Sequence, residues 1–126
     1  MAGPSTRRAR TEVNRRQAGL TYSRIVEQVT DSGISQQELS AAAGASVRSV
    51  HNWASGSAAP RGTSRERLLD VRFIVEELQS VFTVEGIEIW LHARNRYFGR
   101  ARPIDLLTSG EIDRVLEEAQ RLSGAM

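Results

Sequence analysis

Between Gly33 and Gly56 the chain reads Gly33-Ile-Ser-Gln-Gln-Glu-Leu-Ser-Ala-Ala-Ala-Gly-Ala-Ser-Val-Arg-Ser-Val-His-Asn-Trp-Ala-Ser-Gly56. No other stretch constrains the fold as much. Ser35 is placed to cap a helix, and Glu38, three residues on, to complete a capping box. Ile34 before the cap and Leu39 at the fourth helical position make the matching hydrophobic staple. Leu39 and Ala43, four apart, share a face. Gly44 supplies the positive φ of a tight turn at little steric cost. Ser46 is placed to cap a second helix. In it Val47, Val50, Trp53 and Ala54 keep the spacing of a face packed on the first helix. Two short helices across a glycine turn are the pattern of a helix-turn-helix DNA reader.

The polar residues of this stretch suit that reading. Arg48, Ser49, His51, Asn52 and Ser55 are left to point outward. Arginine can donate two bonds to guanine, and asparagine can pair bidentately with adenine. Hydroxyls, glutamines and helix N-terminal amides suit phosphate oxygens. The candidate DNA contacts are therefore Gln36, Gln37, Ser46, Val47, Arg48, Ser49, His51, Asn52 and Ser55. The plain alternative is a helical hairpin with a solvated polar face. It leaves unexplained why cap, staple, glycine turn and tryptophan occur together at the right spacing.

The chain has 126 residues, enough for one domain or two small ones sharing a core. No apolar run approaches the roughly 20 residues of a membrane span, and the N-terminal arginines have no apolar stretch behind them. There is no cysteine, which excludes disulfides and thiolate metal sites and fits a reducing cytoplasm. The formal net charge is +2, and all 17 basic residues are arginine. Their placement is uneven. Arg7, Arg8, Arg10, Arg15 and Arg16 crowd the N-terminus, and Arg94, Arg96, Arg100 and Arg102 crowd a second stretch that holds no acid. Such asymmetry implies a face for an anionic partner.

Periodicity predicts helices throughout and no strand. Residues 1–18 read as a flexible basic arm. Residues 19–62 form the helix-turn-helix domain, beginning with a helix on which Tyr22, Ile25, Val26 and Val29 recur at helical spacing and which Gly33 ends. Residues 63–82 read as a connecting and dimerisation helix, opened by a Thr63–Glu66 capping box and striped by Leu68, Val71, Ile74 or Val75, Leu78 and Phe82. Residues 83–126 hold a helix to Ala93, a basic aromatic loop, a short helix from Pro103 to Thr108 and a last helix packed through Ile112, Val115, Leu116, Ala119 and Leu122. The expected fold is all-α.

Two separated patterns coincide. The first is the helix-turn-helix ending in Val50-His-Asn-Trp53 with Gly56 and Pro60, similar to Xre-type repressors. The second runs Trp90-Leu91, Asn95, Phe98-Gly99, Arg102-Pro103-Ile-Asp-Leu-Leu-Thr-Ser-Gly110, Val115 and Leu116. It resembles the C-terminal toxin-binding domain of the Xre–MbcA–ParS antitoxin family. The resemblance spans about Leu20 to Leu122. It implies an antitoxin that neutralises a RES-domain, NAD-consuming toxin and represses its own operator. It also implies a homodimer that forms larger assemblies with the toxin. By position, Trp90, Leu91, Gly99, Pro103, Leu106, Leu107 and Gly110 would be structural. Arg94, Asn95, Arg96, Arg100, Arg102, Arg121, Ser123, Gly124, Ala125 and Met126 would meet the toxin. The chain departs from the family pattern at Ala93–Arg94, where proline usually precedes the asparagine, and at Tyr97–Phe98, where an aliphatic residue is common.

Nothing in the residue pattern points to catalysis, a cofactor or a metal. Glu88 and His92, four apart, lack a third ligand at helical spacing and read as a surface pair. Glu76–Glu77 and Glu117–Glu118 read as solvated helix faces. The chain thus reads as a cytoplasmic antitoxin with operator DNA and a toxin as partners and no membrane association. The alternative is a stand-alone transcriptional regulator whose C-terminal half dimerises or senses a ligand. A neighbouring toxin gene separates the two.

Overall fold

A computed structural model describes residues 21–124. The expected basic arm, Ala125 and Met126 lie outside the described residues. Helix α1 covers residues 21–31. It is followed by α2 (Gln36–Ala43), α3 (Val47–Ser55), α4 (Gly62–Gln79) and α5 (Val84–His92). A 3-10 turn at Arg96–Phe98 precedes α6 (Pro103–Thr108) and α7 (Ile112–Ser123). Among the described residues there is no strand, so the all-α expectation holds.

Local chemistry sets most boundaries. Ser35 Oγ accepts from Glu38 N at 3.0 Å, and Glu38 Oε1 accepts from Ser35 N at 2.9 Å, completing the capping box of α2. Ile34 and Leu39, the two staple residues, are both buried. Gly44 ends α2 in the left-handed region at φ 70°. Ser46 Oγ accepts from Ser49 N at 3.0 Å and opens α3. Gly33 turns the chain out of α1 at φ 97°. It also lets another helix come close, because a Cβ there would lie 2.6 Å from Cγ of Glu88 on α5.

Two boundaries differ from expectation. Helix α4 begins one residue before Thr63, at Gly62, after an Arg61 that makes no side-chain cap. Thr63 is therefore the second helical residue and not the cap, and the expected Thr63–Glu66 capping box does not form. The helix also stops at Gln79 rather than Phe82. Residues 80–82 continue as a turn in which Phe82 N bonds Leu78 O at 2.8 Å. Thr83 then caps α5, its Oγ1 accepting from Gly86 N at 3.1 Å, and so marks where a new axis starts.

One buried cluster draws on every helix: Val26 and Val29 from α1, Leu39 from α2, Val50 and Trp53 from α3, and Leu68, Ile74 and Leu78 from α4 join Leu91, Leu107 and Val115 from the later helices. Each such side chain removed from water contributes about 1.5–3 kcal/mol. Helix α4 is the central element and packs on α2, α5 and, most extensively, α7. Helix α2 also packs directly on α6. Ser23 Oγ reaches Ala54 O at 2.5 Å and pins α1 to the end of α3. Among the described residues no buried side-chain polar atom lacks a partner.

Candidate functional site

The first candidate surface is the outer face of α3. Val50 and Trp53 are buried, and this anchors the helix. Val47 does not join them. It is 47% exposed in the first turn, which corrects the expectation that it packs on α2. Arg48, His51 and Ser55 are exposed with it, while Ser49 and Asn52 are half-buried. Gln36 and Gln37, in the first turn of α2, are half-buried and exposed respectively.

Not all of these side chains are equally available. Ser46 Oγ donates to Ser49 Oγ at 2.9 Å while accepting from Ser49 N, so both hydroxyls serve the cap. Ser55 Oγ donates to the carbonyl of Asn52 at 3.0 Å and contacts Ser57 Oγ at 3.0 Å. These bonds close the end of α3 around Gly56, at φ 79°. Arg48 and His51 are the large polar side chains of α3 that are exposed.

The second candidate surface is built from the loop at residues 94–102 and the end of α7. Asn95 organises the loop. Its Oδ1 accepts from Tyr97 N at 2.9 Å, and its backbone exchanges bonds with Ala101 and Arg100. Gly99 and Arg100 both take positive φ, 61° and 71°, which folds the loop back tightly. Arg94 Nη1 donates to the carbonyl of Arg100 at 3.3 Å. Arg96 and Arg100 extend into solvent. Arg102 is held by Asp105, with Nη2 to Oδ1 at 2.8 Å and Nε to Oδ2 at 3.0 Å. This bond holds the Asp105 carboxyl below its usual range.

Helix α7 completes the surface. The Arg121 guanidinium lies 4.4 Å from the Tyr97 ring centroid, and that of Arg114 lies 5.8 Å from Phe98. Phe98 in turn meets Trp90 edge-on at 6.4 Å. Arg121 Nε also bonds Glu118, whose side chain is only 5% exposed. Glu118 is therefore not a solvated face: it is buried, and its carboxylate bonds Arg121. Tyr97, Phe98, Arg114, Glu117, Glu118 and Arg121 line a shallow groove of about 250 Å³. Ser123 points the other way. Its Oγ bonds Glu77 Oε2 at 2.5 Å and fastens the end of α7 to α4. Gly124 closes α7 at φ 79°. The structure thus brings Arg121 to the arginine loop and turns Ser123 inward.

The Glu88–His92 pair also differs from expectation. His92 Nδ1 meets the backbone carbonyl of Glu88 at 2.8 Å, and its Nε2 meets the carboxylate of Glu38 at 3.1 Å. Residues 54 apart cannot be paired from local spacing. The aromatic stacking of Arg114 and Arg121 was likewise unpredicted, although Tyr97-Phe98 beside a run of arginines was a usable signal.

No protein-family model matches the chain. Over 84 residues it is 30% identical to the mycobacterial cidal antitoxin MbcA of Mycobacterium tuberculosis, covering 67% of this chain and 74% of that protein. The chain belongs to the MbcA antitoxin family. A probable mycobacterial cidal antitoxin of the same organism is 33% identical over 98 residues, 78% of this chain and 84% of the relative. The crystal structure of the M. tuberculosis MbcT–MbcA toxin–antitoxin complex contains a chain of the same fold. It superposes with a TM-score of 0.68 at 24% identity, over 84% of this chain and 96% of that one.

Proposed function

We propose that this antitoxin neutralises a RES-domain, NAD-consuming toxin by laying the 94–102 loop and the end of α7 over it. Arg94, Asn95, Arg96, Arg100, Arg102 and Arg121, with the chain end through Ala125 and Met126, form that contact. The observation that carries the reading is the stack of Arg121 on Tyr97, which draws loop and terminal helix onto one surface. MbcA itself was crystallised with its toxin MbcT. Arginines held by carboxylates and aromatic rings are pre-oriented, so less side-chain freedom is lost when a partner docks. Co-expression with the adjacent open reading frame tests this. Restored growth and copurification are expected. A toxin that stays active and unbound would end the proposal.

The same protein binds its operator through α3. Arg48 and His51 project from a helix whose N-terminus is capped by Ser46, in the arrangement that suits entry into a major groove. In a homodimer two such helices, roughly 34 Å apart, match a pseudo-palindromic site. Filter binding across a salt series checks this arm. Affinity should fall linearly with salt on logarithmic axes, because phosphate neutralisation releases counterions.

A further inference from the structure

His92 closes α5 and faces α2. Both of its ring nitrogens meet oxygens: Nδ1 lies 2.8 Å from the Glu88 carbonyl and Nε2 3.1 Å from Glu38 Oε2. Carbonyl and carboxylate oxygens accept but do not donate. A neutral ring carries one proton and satisfies one of the two. If Nδ1 keeps it, the bare Nε2 lone pair faces a carboxylate. Only the imidazolium satisfies both contacts.

The partner carboxylate already has a task. Glu38 Oε1 accepts from Ser35 N at 2.9 Å, completing the cap of α2. One carboxylate therefore fixes the first turn of α2 and receives the end of α5. The contact is half-buried, with side-chain exposures of 30% for His92 and 27% for Glu38. The charged groups facing the ring are Glu38 from α2 and Arg102 from the start of α6, and its own helix contributes the Glu88 carbonyl.

We propose that His92 is a proton-gated latch: charged, it ties the first turn of α2 to the end of α5 through both ring nitrogens, and neutral, it keeps only one of the two contacts, so the tie slackens. Burial works against the charged ring, but the Glu88 carbonyl and the Glu38 carboxylate outweigh burial and the opposing Arg102 charge. The net effect raises His92 above its ordinary value of 6.5. A raised folded-state value for a base fixes the sign. The latch contributes fully below the unfolded value and is lost as pH climbs through the folded one. The window thus opens near 6.5 and extends upward. Because the arginine loop begins just past His92 and α2 leads into α3, slackening the tie loosens the joint between the two candidate surfaces. The inference stands apart from any partner.

Two variants separate the latch from a merely structural contact. Glu38→Gln keeps a capping-box residue but removes the carboxylate that faces the ring. His92→Gln removes the titrating group. The full chain is followed by NMR of the imidazole nitrogens and by amide-exchange protection factors of α2 across neutral pH. In the parent chain the His92 ring should titrate above 6.5. Protection at the Glu38 and Leu39 amides should fall several-fold over the same pH range. Glu38→Gln should lower the His92 midpoint and abolish that fall, and His92→Gln should leave protection flat with pH. A His92 midpoint at or below the ordinary value would overturn the latch. So would a midpoint that Glu38→Gln leaves unchanged, or α2 protection with no step as the ring titrates. These readouts involve neither DNA nor toxin, so they stand or fall separately from the proposed function.

Discussion

The Arg121 guanidinium lies over the Tyr97 ring, 4.4 Å from its centroid, and also bonds the buried carboxylate of Glu118. One side chain thus bonds a buried carboxylate and stacks on the aromatic loop. The Glu118 contact keeps the guanidinium firmly charged. Arg121→Ala removes the stack and the bond to Glu118. The expected result is at least a several-fold loss of toxin affinity together with a lower urea midpoint. Titration calorimetry and urea unfolding read the two effects separately. Unchanged toxin binding by a folded variant would remove Arg121 from the interface.

Gly33 and Gly62 share a positive φ but not an environment. A Cβ at Gly33 would meet Glu88 Cγ at 2.6 Å and Glu88 Cα at 3.1 Å, whereas one at Gly62 meets nothing within 4 Å. Gly62→Ala should therefore cost about 1–2 kcal/mol from backbone strain alone. Gly33→Ala should cost more, because α5 must also retreat. Paired denaturant titrations test the order, and equal losses would contradict the close approach of α5.

Asp70 on α4 is partly buried and faces Asp113 and Glu66. Desolvation first, then the two neighbouring carboxylates, raise its pKa above 3.8. For an acid with a raised folded value, the ionised form opposes folding. Stability falls as pH rises from 3.8 through the folded value. Asp70→Asn should therefore raise the urea midpoint near pH 7, and the gain should vanish at about pH 3, where the parent carboxyl is neutral. A gain that persists in acid would assign the effect to packing instead.

Arg48 tests the operator contact. If it reads a guanine, Arg48→Ala should cost about 1–3 kcal/mol at one base position and relax specificity there. Affinities measured on a panel of single-base operator variants decide the matter. A uniform loss over all sequences would place Arg48 on a phosphate.

The elements were largely legible because their signals are local. Ser35 with Glu38, the glycine at 44, Ser46, Pro103 and the apolar spacing of each helix act within a turn or two. The basis for naming Arg94 to Arg102 as a surface was equally local, since a run of arginines without acids has nowhere to go but outward. Thr63 misled because the same capping signature sits one residue inside the helix that Gly62 starts. Glu118 misled because its neighbour Glu117 is exposed, and adjacent helix positions point to different environments.

By itself the chain dictated an all-helical protein, where most of its helices start and stop, and which loop carries positive charge. Each of those depends on the backbone torsions and side-chain chemistry of a few consecutive residues. The packed molecule decided that His92 meets Glu38, that Arg121 stacks on Tyr97, that Glu118 is buried, and that Asp70 faces Asp113. Those pairings follow from where the end of α5 meets the first turn of α2, where the 94–102 loop meets α7, and how α7 lies on α4. Such crossings are set by the shared core that all the helices bury together, not by any one segment.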